Sequence, residues 1–358
     1  IHDPEREKVY QKLQVSILIL ADKVRSSLLM KYAGWHTFTL KSELETKQKL
    51  TGKGVIETLD DLAFRVELDE IINESKTSPN TSDLKRKELL MEIFKHLWLT
   101  DNYRDAENSL VNALVTCRDF TWYEQSLQVS GILLSALRYW DEQKIHRLID
   151  FVELEDPQVS GRALVALVIL LYTYDQRLHL YPSIVTRIEL LKEKENIDKI
   201  LEQIALQIIR TRDTLELGKK LQEDIIPEMV KLRPKLEDKL KMEDLEDEDG
   251  EGMRNPDWES VFNESDDLYK KVDEFMKLQM EGADVYMTTF SMLKSFPFFN
   301  ELTNWLVAFY EENQDLSEIY QQESEGFNPE MFISGLKKMP FLCNSDKYSF
   351  IFNVKFLP

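Results

Sequence analysis

Apolar residues recur along this chain at helical rather than strand spacing. Leu13, Ile17, Leu20 and Val24 step by four, three and four, and Leu59, Leu62 and Val66 follow the same rule on a face that turns polar at Asp69 and Asn73. The pattern predicts two or three amphipathic helices over residues 1–76, interrupted at Gly34-Trp35 and at the Thr51-Gly52-Lys53-Gly54 loop, then a linker at Lys76–Ser82 around Pro79. Helices follow at Leu84–Trp98, at Tyr103–Val115 with Ala106, Leu110, Ala113 and Leu114 on one face, at the very apolar Trp122–Trp140, and at Glu142–Val152. Asp156-Pro157 reads as an N-cap followed by proline at the first helical position. The next helix, Gln158–Tyr174, is apolar on nearly every face, so Leu164, Leu167, Val168, Leu170 and Leu171 are expected to be buried between neighbours. Pro182 opens a further helix. Ile197, Leu201, Ile204 and Ile208, and then Leu217, Leu221 and Ile225, form two more buried stripes before Pro227.

The C-terminal third keeps helical spacing at Trp258–Phe262, Leu268–Leu278, Val285–Leu293 and Leu302–Tyr310, with cap-plus-proline starts at Asn255-Pro256 and Asn328-Pro329. Its tail is ambiguous. Tyr348, Phe350, Phe352, Val354 and Phe356 alternate with period two, which fits either a strand or a helical or extended packing segment.

Weak internal repetition accompanies the helices. Val129-Ser130-Gly131 is echoed by Val159-Ser160-Gly161, and Tyr139-Trp140-Asp141-Glu142-Gln143 by Thr173-Tyr174-Asp175-Gln176-Arg177. Each copy is an apolar helix, an Asp-containing turn and a more polar helix. A repeat of about 30–45 residues built of helix pairs is the mark of an α-solenoid; a simple helical bundle with chance matches is the alternative. The expected architecture is therefore all-α, a solenoid-like stack of antiparallel helix pairs. Its expected parts are an N-terminal helical segment (1–82), a helical-repeat region (83–236), an acidic linker (237–256) and an aromatic-rich helical region (257–358).

Composition agrees. Gly and Pro number only 11 each in 358 residues, and 43% hydrophobic residues suffice for real cores. The formal charge is −20, and residues 241–358 alone carry 25 acids against 10 Lys and Arg. Such a field repels phosphate backbones and anionic leaflets, so neither nucleic acid nor direct lipid binding is expected. The longest apolar run, Ala163–Tyr174, is twelve residues, well short of the ~20 that a spanning helix needs. Two distant cysteines, Cys117 and Cys343, fit a reducing compartment, and a cytoplasmic location is expected. The chain starts at Ile1 rather than Met and stops at the apolar Phe356-Leu357-Pro358, so it reads as a fragment of a longer protein.

Several residues then resemble known repeats. Asn102-Tyr103-Arg104-Asp105-Ala106 followed by Ala113-Leu114 resembles the first helix of a tetratricopeptide unit, although the Trp-x-x-Leu-Gly part of that pattern is missing. Asp156-Pro157-Gln158-Val159 with Arg162-Ala163-Leu164 resembles a HEAT-type turn and second helix, where the Asp caps the inner helix and the Arg braces neighbouring repeats. Residues 97–230 as a whole are similar to degenerate TPR/HEAT-like helical-repeat proteins of bacteria. Leu278–Val285, Leu293–Phe299 and Asn304-Trp305 resemble a block of such proteins to which no activity attaches. The resemblance implies an interaction scaffold and supplies no catalytic residue.

Motifs for chemistry fail on spacing. With Gly250 at the sixth position of a Ca²⁺ loop, Leu245 and Pro256 fall where carboxylates are required. Gly52-Lys53-Gly54 lacks the spacing of a phosphate loop. His146 and Asp150 share a helix face but lack a third ligand. No catalytic residue, cofactor or metal is expected. The Arg210, Arg212, Lys219, Lys220 cluster could dock an acidic peptide at the rim of a concave repeat surface. Phe296-Pro297-Phe298-Phe299 either plugs a groove within the fold or forms part of a partner-binding patch. The expected function is non-enzymatic binding of a protein partner, as a scaffold or adaptor. The alternative is an enzyme whose site, without linear motif, lies between the repeat region and the C-terminal region.

Overall fold

A computed structural model describes residues 4–32, 36–46, 50–72, 81–211, 214–220, 294–320, 328–339 and 342–353, with the single positions Glu223, Pro227 and Lys277. Among the described residues the regular structure is helical throughout and no strand occurs. The chain divides into two compact units, residues 1–201 with 302–308, and residues 202–301 with 309–358. Residues 76–80 of the expected linker, the acidic segment 237–256 and, but for Lys277, the helices expected between Trp258 and Leu293 lie outside the described residues; Thr81 and Ser82, expected as linker, open a helix.

The first unit contains α1 (Pro4–Tyr32), α2 (His36–Thr46), α3 (Gly52–Ile72), α4 (Thr81–Leu99), α5 (Asp105–Thr116), α6 (Trp122–Arg138), α7 (Glu142–Val152), α8 (Pro157–Thr173), α9 (Asp175–Leu178) and α10 (Pro182–Lys192). The helix α11 (Ile197–Arg210) follows, then α12 (Thr214–Lys220). Local chemistry explains the boundaries. The Asp156 carboxylate accepts from the backbone N–H groups of Gln158 (2.8 Å) and Val159 (3.2 Å) at the start of α8, with Pro157 in the first turn, where its missing N–H costs nothing. Asp141 caps α7 in the same way and also accepts from the N–H of Tyr103 at 2.6 Å. Glu107 and Glu124 reach back to the backbone N–H groups of Arg104 (2.8 Å) and Thr121 (2.9 Å), three residues upstream.

The helices pack in two successions: α4 on α6 on α8, and α3 on α5 on α7 on α10, with α7 also against α8 and α3 against α4. Their shared core is apolar and tight. Ile93, Phe94, Leu97, Leu110, Leu114, Ile132, Ile145, Phe151 and Leu170 are essentially inaccessible. Gly131 lets α6 approach α4 closely, since a Cβ there would lie 3.0 Å from the Phe94 ring.

Two expected stripes are buried only in part. On α8, Leu164, Leu167 and Leu170 are buried, but Val168 and Leu171 are half-buried and Tyr172 is 87% exposed. The neighbours α6 and α7 cover one side of this helix, so its remaining apolar residues face outward. On α11, Ile197 and Ile204 are buried, whereas Leu201 is half-buried and Ile208 exposed. Leu217 on α12 is buried; Leu221 and Ile225 lie outside the described residues.

The second unit holds a 3₁₀ turn at Pro297–Asn300, α14 (Ser317–Tyr320), α15 (Pro329–Lys338) and α16 (Asn344–Asn353); the short α13 (Leu302–Leu306) belongs to the first. The tail is resolved as helix over Tyr348, Phe350 and Phe352, so the strand alternative does not hold there. Side chains two apart on a helix point to nearly opposite sides. Tyr348 and Phe352 share one side against Phe298, with ring centroids 5.0 and 5.1 Å away, while Phe350 stacks on Phe332 at 5.7 Å.

Candidate interaction surface

The most exposed apolar surface of the described chain belongs to α1. Over residues 5–32 this 29-residue helix has no fully buried residue. Gln14, Val15, Leu18, Asp22, Ser26 and Leu29 are half-buried and form its inner side. That side is anchored by Asp22, whose carboxylate takes two bonds from the Arg177 guanidinium at 2.5 and 3.0 Å. Arg177 in turn lies over the Tyr174 ring at 5.4 Å, so the anchor is a bidentate pair braced by an aromatic face. The opposite side carries Val9, Tyr10, Leu13, Ile17, Leu20, Val24 and Leu28, each between 51% and 64% exposed. Ile17, Leu20, Ala21, Val24 and Leu28 also line a shallow open groove. At 100° per residue the two sides lie about 150° apart, so one helix presents two apolar faces, and among the described residues only the inner one has a neighbour. Over residues 4–32 there are six basic residues (Arg6, Lys8, Lys12, Lys23, Arg25, Lys31) against three acids (Glu5, Glu7, Asp22), a positive element in an acidic chain.

Of the basic residues singled out by sequence, Arg210 ends α11 half-buried, and Lys219 and Lys220 end α12 exposed. Arg212 lies outside the described residues. Arg210, Lys219 and Lys220 belong to the second unit, whereas helices α3–α10 belong to the first. The three phenylalanines meet their own unit. Phe299 is buried against Phe298 (5.1 Å, edge to face), Phe298 packs on Tyr348 and Phe352, and Phe296 touches Phe352 at 5.8 Å. Phe309 completes the cluster against Tyr348 at 5.0 Å. Beside it, Lys294 pairs with Asp346 at 2.7 Å, both nearly inaccessible.

Sequence reasoning missed a buried ionic centre in the first unit. Lys144 is fully buried. Its ammonium donates to the carbonyls of Tyr139 (3.0 Å) and Ser135 (3.3 Å) and lies 5.3 and 5.7 Å from the Tyr103 and Tyr139 ring centres. Burial lowers its pKa to about 7, against the pull of Asp141. Nearby, Asp101 binds Lys41 (2.6 Å) and Arg138 (2.5 Å), and Arg138 also donates to the carbonyls of Leu99 (2.6 Å) and Trp98 (3.2 Å) that end α4. Burial works to raise the Asp101 carboxyl, but its two cations hold it below the usual carboxylate range. A Lys within a polar Glu-Gln-Lys turn looks like solvent-facing sequence; only the fold reveals that it is enclosed.

Between α2 and α4 a cavity of about 120 Å³ is lined by Leu40, Leu44, Leu50 and Leu99 with Glu43, Glu92, Lys95 and His96. Ligand pockets run to roughly 300–1,000 Å³. His96 and Glu107 face each other at 3.4 Å, both buried. Among the described residues no group of three or more His, Cys, Asp or Glu is placed to hold a metal ion, and no helix is long and apolar enough to cross a membrane. The Cys117 and Cys343 thiols are unbridged and are both raised by burial. Comparison of the chain with protein-family models, with curated proteins and with solved structures finds no match.

Proposed function

We propose that this is a non-enzymatic helical-repeat protein that binds another protein, and that its helices form a solenoid-like stack of pairs. Two features support the architecture. Helices α4, α6 and α8 succeed one another in one row and α3, α5, α7 and α10 in another, as stacked pairs would. Polar contacts between successive pairs also fall in a narrow band of sequence separation, 32 to 42 residues. Arg86 to Glu124, Leu90 to Gln128, Tyr103 to Asp141 and Ala136 to Tyr174 are each 38 residues apart. A separation close to one repeat length is what nearest-neighbour packing of similar units produces. Arg162 acts as the HEAT-type brace would, donating to Ser126 and Ser130 of α6 and to the Leu306 carbonyl.

The observation that carries the function is the outer face of α1. A contiguous apolar strip on a helix already anchored by its other side gains nothing from water, and exposed patches of that kind serve association. A photo-crosslinking residue placed at Leu20, in the full chain in its native cell, should form an adduct with a polypeptide. The same residue at Tyr172, which is exposed on α8 outside the α1 strip, should not. No adduct from Leu20, or equal adducts from both positions, would refute the reading.

A further inference from the structure

We infer that the outer face of α1 pairs with the same face of a second copy of this chain, as a parallel two-stranded coiled coil. This rests on the protein-binding reading above and names its partner. The register comes from the residues. Tyr10, Leu13, Ile17, Leu20 and Val24 step by three, four, three and four, the a and d positions of a heptad, and all are more than half exposed. Tyr10, Ile17 and Val24 fall at a, and Leu13 and Leu20 at d. β-Branched residues at a with leucine at d favour two parallel strands over higher orders, because their Cβ geometry suits the parallel a-layer. Val9 and Leu28 flank this seam at g and e. Ser27 falls at the next d, and Arg6 and Lys31 at the flanking d and a, so the apolar seam runs from Tyr10 to Val24.

Charge does not direct the face to a different partner. Along the seam the flanking positions Gln14, Ser16 and Ala21 are uncharged, and Lys23 is the one ionised residue among those between Val9 and Leu28. Coiled coils choose unlike partners mainly through opposite charges at these positions. Lys8, Lys12 and Arg25 lie away from the seam, at f, c and b.

The available area also suits a pair. Seven side chains, Val9 through Leu28, are each exposed by 51% to 64%. At about 150–220 Å² per fully exposed residue they offer roughly 700 Å² per copy, close to the ~800 Å² that each partner of a standard interface buries. The inner side remains free to hold its own unit through Asp22 and Arg177, so pairing demands no rearrangement of the fold.

The test is sedimentation velocity on the full chain over a range of concentrations, with three variants. The wild type should sediment as a dimer. Ile17→Asp and Leu20→Asp should each raise the dimer dissociation constant at least ~100-fold with an unchanged circular dichroism spectrum, because the changed atoms face away from the unit's core. In a Cys117→Ser, Cys343→Ser background, Ile17→Cys should oxidise to a disulfide-linked dimer, since parallel strands place a opposite a. Four results would overturn the inference. They are a chain monomeric at every concentration, a dimer indifferent to Leu20→Asp, an Ile17→Cys variant that dimerises without cross-linking, and α1-dependent binding to anionic vesicles by a monomeric chain. A monomer whose Leu20 position still crosslinks to a different protein overturns the second-copy inference alone. A monomer without any such adduct overturns the protein-binding reading as well.

Discussion

Replacing Lys144 by methionine should flatten the dependence of stability on alkaline pH. Lys144 is fully enclosed, faced by the Tyr103 and Tyr139 rings, the Ser135 and Tyr139 carbonyls and the charges of Asp141, Asp101, Arg138 and Lys41, and its pKa falls from 10.5 to about 7. The unfolded chain therefore holds this proton between pH 7 and 10.5 while the native chain has released it. Stability rises with pH wherever the unfolded state binds more protons, so this group makes the protein more stable as pH climbs through that window. Below pH 7 both states carry the proton and the group adds no further slope. One full proton of difference corresponds to about 1.4 kcal/mol per pH unit. Between pH 7.5 and 9.5 the native protein should gain about 2–3 kcal/mol, and the Lys144→Met variant less than about 1 kcal/mol. The measurement is urea unfolding followed by circular dichroism, in a Cys117→Ser, Cys343→Ser background. The thiols need removing because burial raises both, which would lower stability as pH rises towards 9 and mask the effect. The buried tyrosines, all raised by burial, cost stability as the pH nears 10, but they do so in both proteins and cancel in the comparison. Parallel pH profiles for the two proteins would refute the account of Lys144 as a buried, easily neutralised amine.

Three further outcomes follow from the packing. Leu167→Ala should cost about 2–5 kcal/mol in urea unfolding, because Leu167 is 1% exposed and its loss leaves a cavity, whereas Tyr172→Ala should change stability by less than about 0.5 kcal/mol. Gly161→Ala should stabilise by about 0.5–1 kcal/mol, as nothing lies within 4 Å of the new Cβ. Gly52→Ala should instead lower the melting temperature, because its Cβ would lie against the Ser109 carbonyl. Asp101→Ala leaves Lys41 and Arg138 unpaired and should cost about 3 kcal/mol at pH 7, a loss that shrinks as the pH falls through the depressed carboxyl pKa of the parent.

The helices were legible where local chemistry specifies them. Asp156-Pro157, Pro182 and Asn328-Pro329 announce helix starts because a capping carboxylate or amide and a proline each satisfy the first turn, and the structure starts helices at all three. Glu142–Val152 has the expected bounds. The tail was ambiguous for a physical reason. A helix clad in aromatics on both sides shows the same alternation as a strand, and only the positions of Phe298 and Phe332 separate the two. On α1 the stripe Leu13, Ile17, Leu20, Val24 was visible, but a stripe says that a face seeks apolar company and not which surface provides it. The signal that distinguishes this helix is an excess of apolar positions: Val15, Leu18 and Leu29 already furnish an inner face. Lys144 left no trace in the sequence, because burial of a lysine follows from the crossing of α5, α6 and α7 around it.

The central claim is that protein covers the outer face of α1 in the cell. Cysteine labelling tests it most directly: Leu20→Cys and Tyr172→Cys, each in a chain lacking Cys117 and Cys343, treated with a membrane-permeant maleimide in living cells and again as dilute purified protein. Both positions are well exposed, at 61% and 87%. The account predicts that Tyr172→Cys labels equally fast in both settings, while Leu20→Cys labels at least ~10-fold more slowly in the cell than when dilute. Equal labelling of Leu20→Cys in the two settings would mean that its face stays open to water, and would contradict the claim.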